Sequence, residues 1–144
     1  MNTESVLSKL REEQFVLEKV GGSYYSFEYE ELGFLFMPDG DDNFLRFAVP
    51  SIYDVTEENR PFVLEVVNDT NFTIKYCKAC VFDDSVWIFY EHRLFGDDHL
   101  EELLEHTLKL LQAAYYLFYR KIEGDDTLPS NDDDNNDPET MEDE

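Results

Sequence analysis

From Thr73 to Phe95 the chain reads TIKYCKACVFDDSVWIFYEHRLF, two apolar runs on either side of the polar turn Asp83-Asp84-Ser85. Runs of this length around such a turn predict a β-hairpin. A strand has a side-chain period of two. Ile74, Tyr76, Lys78, Cys80 and Phe82 therefore fall on one face, and Lys75, Cys77, Ala79 and Val81 on the other. In the second strand Trp87, Phe89, Glu91, Arg93 and Phe95 oppose Val86, Ile88, Tyr90, His92 and Leu94. A hairpin this apolar needs neighbouring strands and a covering layer, and the flanking sequence offers both.

Before it, Val6, Leu7, Leu10 and Phe15 recur on one side of a predicted helix over residues 3–15. Ser23–Glu30 alternates as a half-buried strand, Gly33–Met37 is apolar on both faces, and Asn43–Val49 follows the turn Pro38-Asp39-Gly40-Asp41-Asp42. Asp54 and Glu57 have capping-box spacing at the start of a second helix. Pro61 moves that start slightly later. Phe62, Val63, Val66 and Val67 form the helix's apolar stripe, and Asn68-Asp69-Thr70-Asn71 ends it. After Gly96 a long helix carries Leu100, Leu103, Leu104, Leu108, Leu111, Tyr115, Phe118 and Ile122 at three- and four-residue steps, with Asp98 and Glu101 as a second cap-and-acid pair. The order α-β-β-β-α-β-β-α predicts an α+β two-layer sandwich with five antiparallel strands.

Residues 1–122 are expected to be one domain, and residues 123–144 an acidic, disordered tail. The tail carries eleven acidic side chains, no Lys or Arg, and only Leu128 and Met141 as apolar residues. Without it the chain still has 23 acidic against 11 basic side chains. Nucleic acid and anionic membrane are unsuited partners for such a surface, because both are bound by displacing counterions with cations. With no apolar run near 18 residues, no signal peptide and two cysteines, the expectation is a cytoplasmic protein with reduced thiols.

The candidate chemistry is sparse. Cys77-x-x-Cys80 has the spacing of a redox or zinc pair, but three residues along a strand place the thiols on opposite faces. His99, Glu102 and His106 share a helical face and read as a solvated stripe. His92 shares a strand face with Tyr90, which predicts partial burial. Asp39-Gly40-Asp41-Asp42 lacks the ligand spacing of an EF-hand. No nucleophile–base pair, glycine-rich phosphate loop, metal site or cofactor site is predicted.

The segment FVLEVVNDTNFTIKYCKACVFDDSVWIFYEHRLF followed by DDHLEELLEHTLKLL resembles the bacterial YbjN-like family. An apolar helix ending in Asn leads to a strand, an acidic turn, a strand ending in Tyr-Glu, and a helix with repeated Leu. The resemblance covers roughly residues 4–122. It implies a strongly bent five-stranded sheet with helices on one face, the fold of type III secretion chaperones, and a homodimer. It also implies a non-enzymatic module that holds or regulates a partner protein. Tyr76, Trp87 and Phe89 on the sheet, with Phe62, Val63 and Val66 on the second helix, are the expected contact residues. Two other readings stay open: a sensing domain with an aromatic pocket between sheet and helices, and an acidic nucleic-acid mimic.

Overall fold

A computed structural model describes residues 2–124; the acidic tail lies outside the described residues from 125 onward. The elements run α1 (Thr3–Glu12), β1 (Glu18–Val20), β2 (Tyr24–Tyr29), β3 (Leu32–Phe36), β4 (Phe44–Asp54), α2 (Arg60–Thr73), β5 (Cys77–Phe82), β6 (Ser85–Arg93) and α3 (Leu100–Ile122). The strands form one antiparallel sheet of six in the order β1-β2-β3-β4-β6-β5. The α+β architecture matches the sequence expectation, with one strand more than the five expected. The extra strand is β1, three residues paired with Val20↔Tyr24 and Glu18↔Ser26. Glu18-Lys19-Val20 is too short to display a period, which is why its pattern is silent.

All three helices pack on the same face of the sheet. Their side chains (among them Leu10, Val63, Leu111 and Phe118) join Phe27, Phe34, Phe36, Phe47, Ile88 and Tyr90 in one continuous core. The β2–β4 part of that core is a run of rings, with Phe27 stacked on Phe34 at 5.6 Å and Phe36 on Phe47 at 5.0 Å between centroids. Offset aromatic pairs of this kind add to the stability gained from burial alone.

Local chemistry explains where the elements start and stop. Asn2 caps α1 by accepting the Ser5 N–H at 2.9 Å. The Asp54/Glu57 pair does not cap α2. The chain instead closes a turn in which the Asn59 side chain accepts from the Thr56 N–H at 2.8 Å and donates to the Asp54 carbonyl at 3.1 Å, and the helix begins at Arg60. At its other end α2 runs on to Thr73, past the four polar residues expected to stop it. That extension places Asn71 beside β5, where its amide oxygen accepts the Ala79 N–H at 2.7 Å and its amide nitrogen donates to the Ala79 carbonyl at 2.9 Å. An exposed strand edge invites pairing with another chain. Here one side-chain amide occupies the middle of it.

β4 is the longest strand, and it bends. Its pairing with β6 shifts register between Val49 and Tyr53, and Ser51 sits at φ 51°. β4 spends four residues from Val49 to Tyr53 where β6 spends two from Ile88 to Val86, and an irregularity of this kind sharpens the local twist. It swings Tyr53 onto α3, where its ring meets Phe118 at 5.9 Å, while the Tyr119 hydroxyl donates to the Ile52 carbonyl.

Candidate functional site

The same alternation that feeds the core builds a second, smaller apolar cluster on the face without helices, whose buried members are at most 8% exposed. Leu35, Ala48 and Phe89 lie side by side in register across β3, β4 and β6. With Met37 they form a small cluster separate from the main core, and Val20, Tyr24, Cys80 and Trp87 pack at its margin. Trp87 stacks on Phe89 at 5.7 Å, and Phe82 meets Trp87 edge-on at 5.2 Å. The Trp87 indole N–H donates to the Ser85 hydroxyl at 3.1 Å, which fixes the ring. Arg46 lies over the Phe89 ring at 5.4 Å, and Glu91 ties Arg46 to Lys78 at 3.3 and 2.9 Å. Arg46 covers part of the apolar cluster with its Nε shut off from solvent, while the Lys78 side chain stays in water. Phe82 stays 53% exposed.

The six residues nominated from the sequence do not form one surface. Trp87 and Phe89 come together on the open face. Tyr76 adopts φ 65°, which takes it out of β5, and its ring packs instead on Tyr90 and His106 at 6.1 and 5.3 Å. Phe62 is exposed on α2, whereas Val63 and Val66 are buried in the core at 0% and 6% exposure. Helical periodicity identified that stripe correctly, and the stripe faces inward.

The two cysteines lie on opposite faces, as the period-two reading requires: Cys77 pairs with Tyr90 and packs against the core, and Cys80 pairs with Trp87 on the open face. Burial pushes the Cys77 thiol up to about 12, so it is a neutral thiol near neutral pH. Burial also raises Cys80, with nearby Lys78 acting in the opposite direction.

Sequence spacing missed a polar chain at the start of α3. The Tyr90 hydroxyl approaches His92 Nδ1 at 3.5 Å, and His92 Nε2 lies 3.7 Å from the Asp98 carboxylate. Asp98 accepts the Phe95 N–H at 2.6 Å, so it ties down the loop before α3 in place of capping the helix. Burial raises the Tyr90 phenol. The i, i+2 step from Tyr90 to His92 was a visible signal; Asp98 sits in a loop, where no periodicity applies. His99, Glu102 and His106 line a shallow depression of about 410 Å³ with Asp97 and Asp98. Among the described residues no three His, Cys, Asp or Glu side chains are grouped to hold a metal ion.

Between sheet and helices lies a pocket of about 300 Å³, lined by Leu10, Phe15, Tyr29, Leu104 and Leu108 and rimmed by Lys9, Glu13, Glu101 and Glu105. It is at the lower limit of ligand-site volumes. Trp87 is on the other side of the sheet.

A sequence profile described as "YbjN: Putative bacterial sensory transduction regulator" matches residues 4–124. The chain belongs to the YbjN family. The fold is also that of two solved structures. One is YbjN from E. coli, titled a "putative transcription regulator", with a TM-score of 0.62 at 9% identity over 86% of this chain and 94% of that one. The other is an uncharacterized protein from Methanothermobacter thermautotrophicus, with a TM-score of 0.58 at 15% identity over 86% of this chain and 98% of that one. Comparison with curated proteins gives no match. No described helix is long and apolar enough to cross a membrane.

Proposed function

We propose that this YbjN-family protein is a non-enzymatic regulatory module that holds a partner protein on the open face of its sheet and acts as a homodimer in the cytoplasm. The observation that carries this reading is the pair of rings Phe82, 53% exposed, and Trp87, half-buried, seated on the buried cluster of Leu35, Met37, Ala48 and Phe89 on a face that no helix covers. Solvent-reaching rings grouped over an apolar floor mark interaction sites more often than singly exposed ones do. Trp and Tyr, with Arg, are the side chains that dominate binding energy at such sites. Tyr76 and Phe62 are proposed as secondary contacts on the helix-bearing side.

The experiment is affinity capture from the source cells with the full chain and with a Trp87→Ala, Phe82→Ser variant. A protein retained by the former and lost by the latter, with both chains equally folded, supports the reading. Equal capture by both overturns the assignment to this face. Sedimentation at tens of micromolar tests the dimer, and a monomer overturns it.

A sensing role is the second reading. It is favoured by the family description and by the pocket between α1, α3 and β2. A Leu104→Trp variant, which fills that pocket, would abolish a thermal shift caused by a small ligand and leave partner capture intact.

A further inference from the structure

Ladder geometry at the junction of β3 and β4 leaves part of the sheet unpaired. The two strands share only the register pairs Leu35↔Ala48 and Phe36↔Phe47, continued by the Met37 N–H donating to the Arg46 carbonyl at 2.9 Å. Backbone groups in an antiparallel ladder alternate direction. Gly33 therefore presents its N–H and carbonyl toward β4, as Leu35 and Met37 do. The residue opposite Gly33 in this register is Pro50, which has no N–H to give. The next residue, Ser51, turns away at positive φ. β3 thus carries an internal edge where β4 leaves it.

A groove of about 900 Å³ opens over this junction, lined by Val16, Glu18, Ser26, Glu28, Gly33, Leu35 and Pro50 among others. Register places these side chains together on the open face. Glu18 pairs with Ser26, Ser26 with Leu35, and Glu28 with Gly33, and Leu35 belongs to the open-face cluster. Val16 is 85% exposed at one wall. The charged residues lining the groove, Glu18 and Glu28, are both acidic, in a chain whose net charge is −23.

We propose that this groove takes an extended, basic segment of a partner protein. The segment's backbone bonds to the Gly33 edge of β3, its Lys or Arg side chains reach Glu18 and Glu28, and its apolar side chains lie on Val16, Leu35 and Pro50. Extended segments commonly dock on free strand edges in this way, with main-chain bonds giving affinity and alternate side chains giving specificity. The acidic surface raises the local concentration of a cationic partner before contact. This inference rests on the protein-binding reading and assigns it a site and a chemistry.

The test uses the full chain and fluorescein-labelled synthetic octapeptides read by anisotropy. The first alternates valine and lysine, the second alternates valine and glutamate, and the third keeps the lysines but replaces every valine with proline. The valine–lysine peptide is expected to bind at least tenfold tighter than either of the others. Gly33→Leu fills the groove without strain, because no atom lies within 4 Å of an added Cβ and Gly33 has no positive φ. It should abolish that preference while thermal stability is kept. Glu18→Lys with Glu28→Lys should shift the preference to the valine–glutamate peptide. Equal binding of the two lysine peptides, or an unchanged preference in Gly33→Leu, would overturn the groove and show only diffuse charge attraction. Partner capture by Gly33→Leu separates the two claims. Capture that persists there and is lost in Trp87→Ala, Phe82→Ser leaves the protein-binding reading standing without the groove.

Discussion

One sheet has two faces here, built by alternate residues of the same strands. On the helix side Phe47 and Tyr90 are sealed among rings and leucines. One residue along each strand, Ala48 and Phe89 sit on the other side, beneath nothing but Trp87, Arg46 and their neighbours. The covered face is packed for stability. The open face has the composition of an interface: aromatic rings, an arginine, a fixed indole, and charges at the margin. A buried side chain contributes through its transfer from water and through the cavity its loss would leave. One covered only by surface side chains contributes less, because those side chains and solvent can close over the gap.

The sharpest way to break that contrast is a matched pair of truncations. Phe47→Ala should cost about 3–5 kcal/mol, read as a lower urea midpoint with unchanged slope. Phe89→Ala should cost about 1–3 kcal/mol, since its cover is the side chains of Trp87 and Arg46, which can settle into the gap. Equal losses would mean that the open face is a second core. A smaller loss together with weakened partner capture would mark it as a binding surface.

The cysteines extend the contrast to chemistry, one thiol on each face. Cys77 has its pKa pushed from an ordinary 9.0 to about 12 by burial. The folded state therefore favours the neutral thiol. The stability this brings is full below pH 9 and drains away as the pH rises from 9 toward 12. Urea midpoints should fall over that window and fall less in Cys77→Ala. At pH 8, Ellman's reagent should label Cys80 well before Cys77. Labelling at equal rates would show that the helix side opens as readily as the other.

These faces were legible in the sequence to the extent that period-two alternation was. Cys77 and Cys80, Trp87 and Tyr90, and Phe47 and Ala48 all fall on the faces their parity dictates. What parity cannot reveal is which face receives the helices, so Val63 and Val66 looked as available as Trp87. Irregular backbone hid the rest. Tyr76 leaves its strand at positive φ, β4 bends at Pro50-Ser51, and the groove over Gly33 exists only because two ladders fail to continue. Each depends on a residue's partner across the sheet, and a single sequence does not print its partners. Asp98 belongs to the same class, because its role is set by a loop that folds back to Phe95 and His92.

The smallest expected effect concerns the charges that edge the open face. Glu91 accepts from Lys78 and pairs by charge with Arg46, but the Lys78 and Glu91 side chains are themselves well exposed. Exposed pairs gain little, because water screens them and two long side chains lose freedom. Glu91→Gln should therefore cost under about 1 kcal/mol in the urea midpoint. It also frees Arg46 and Lys78, leaving the two cations beside Trp87 with no carboxylate between them. Partner capture, compared at low and at 0.5 M salt, should then change by more than stability does. If both move together, the ion pairs serve the fold, and the open face is less specialised than its aromatic composition implies.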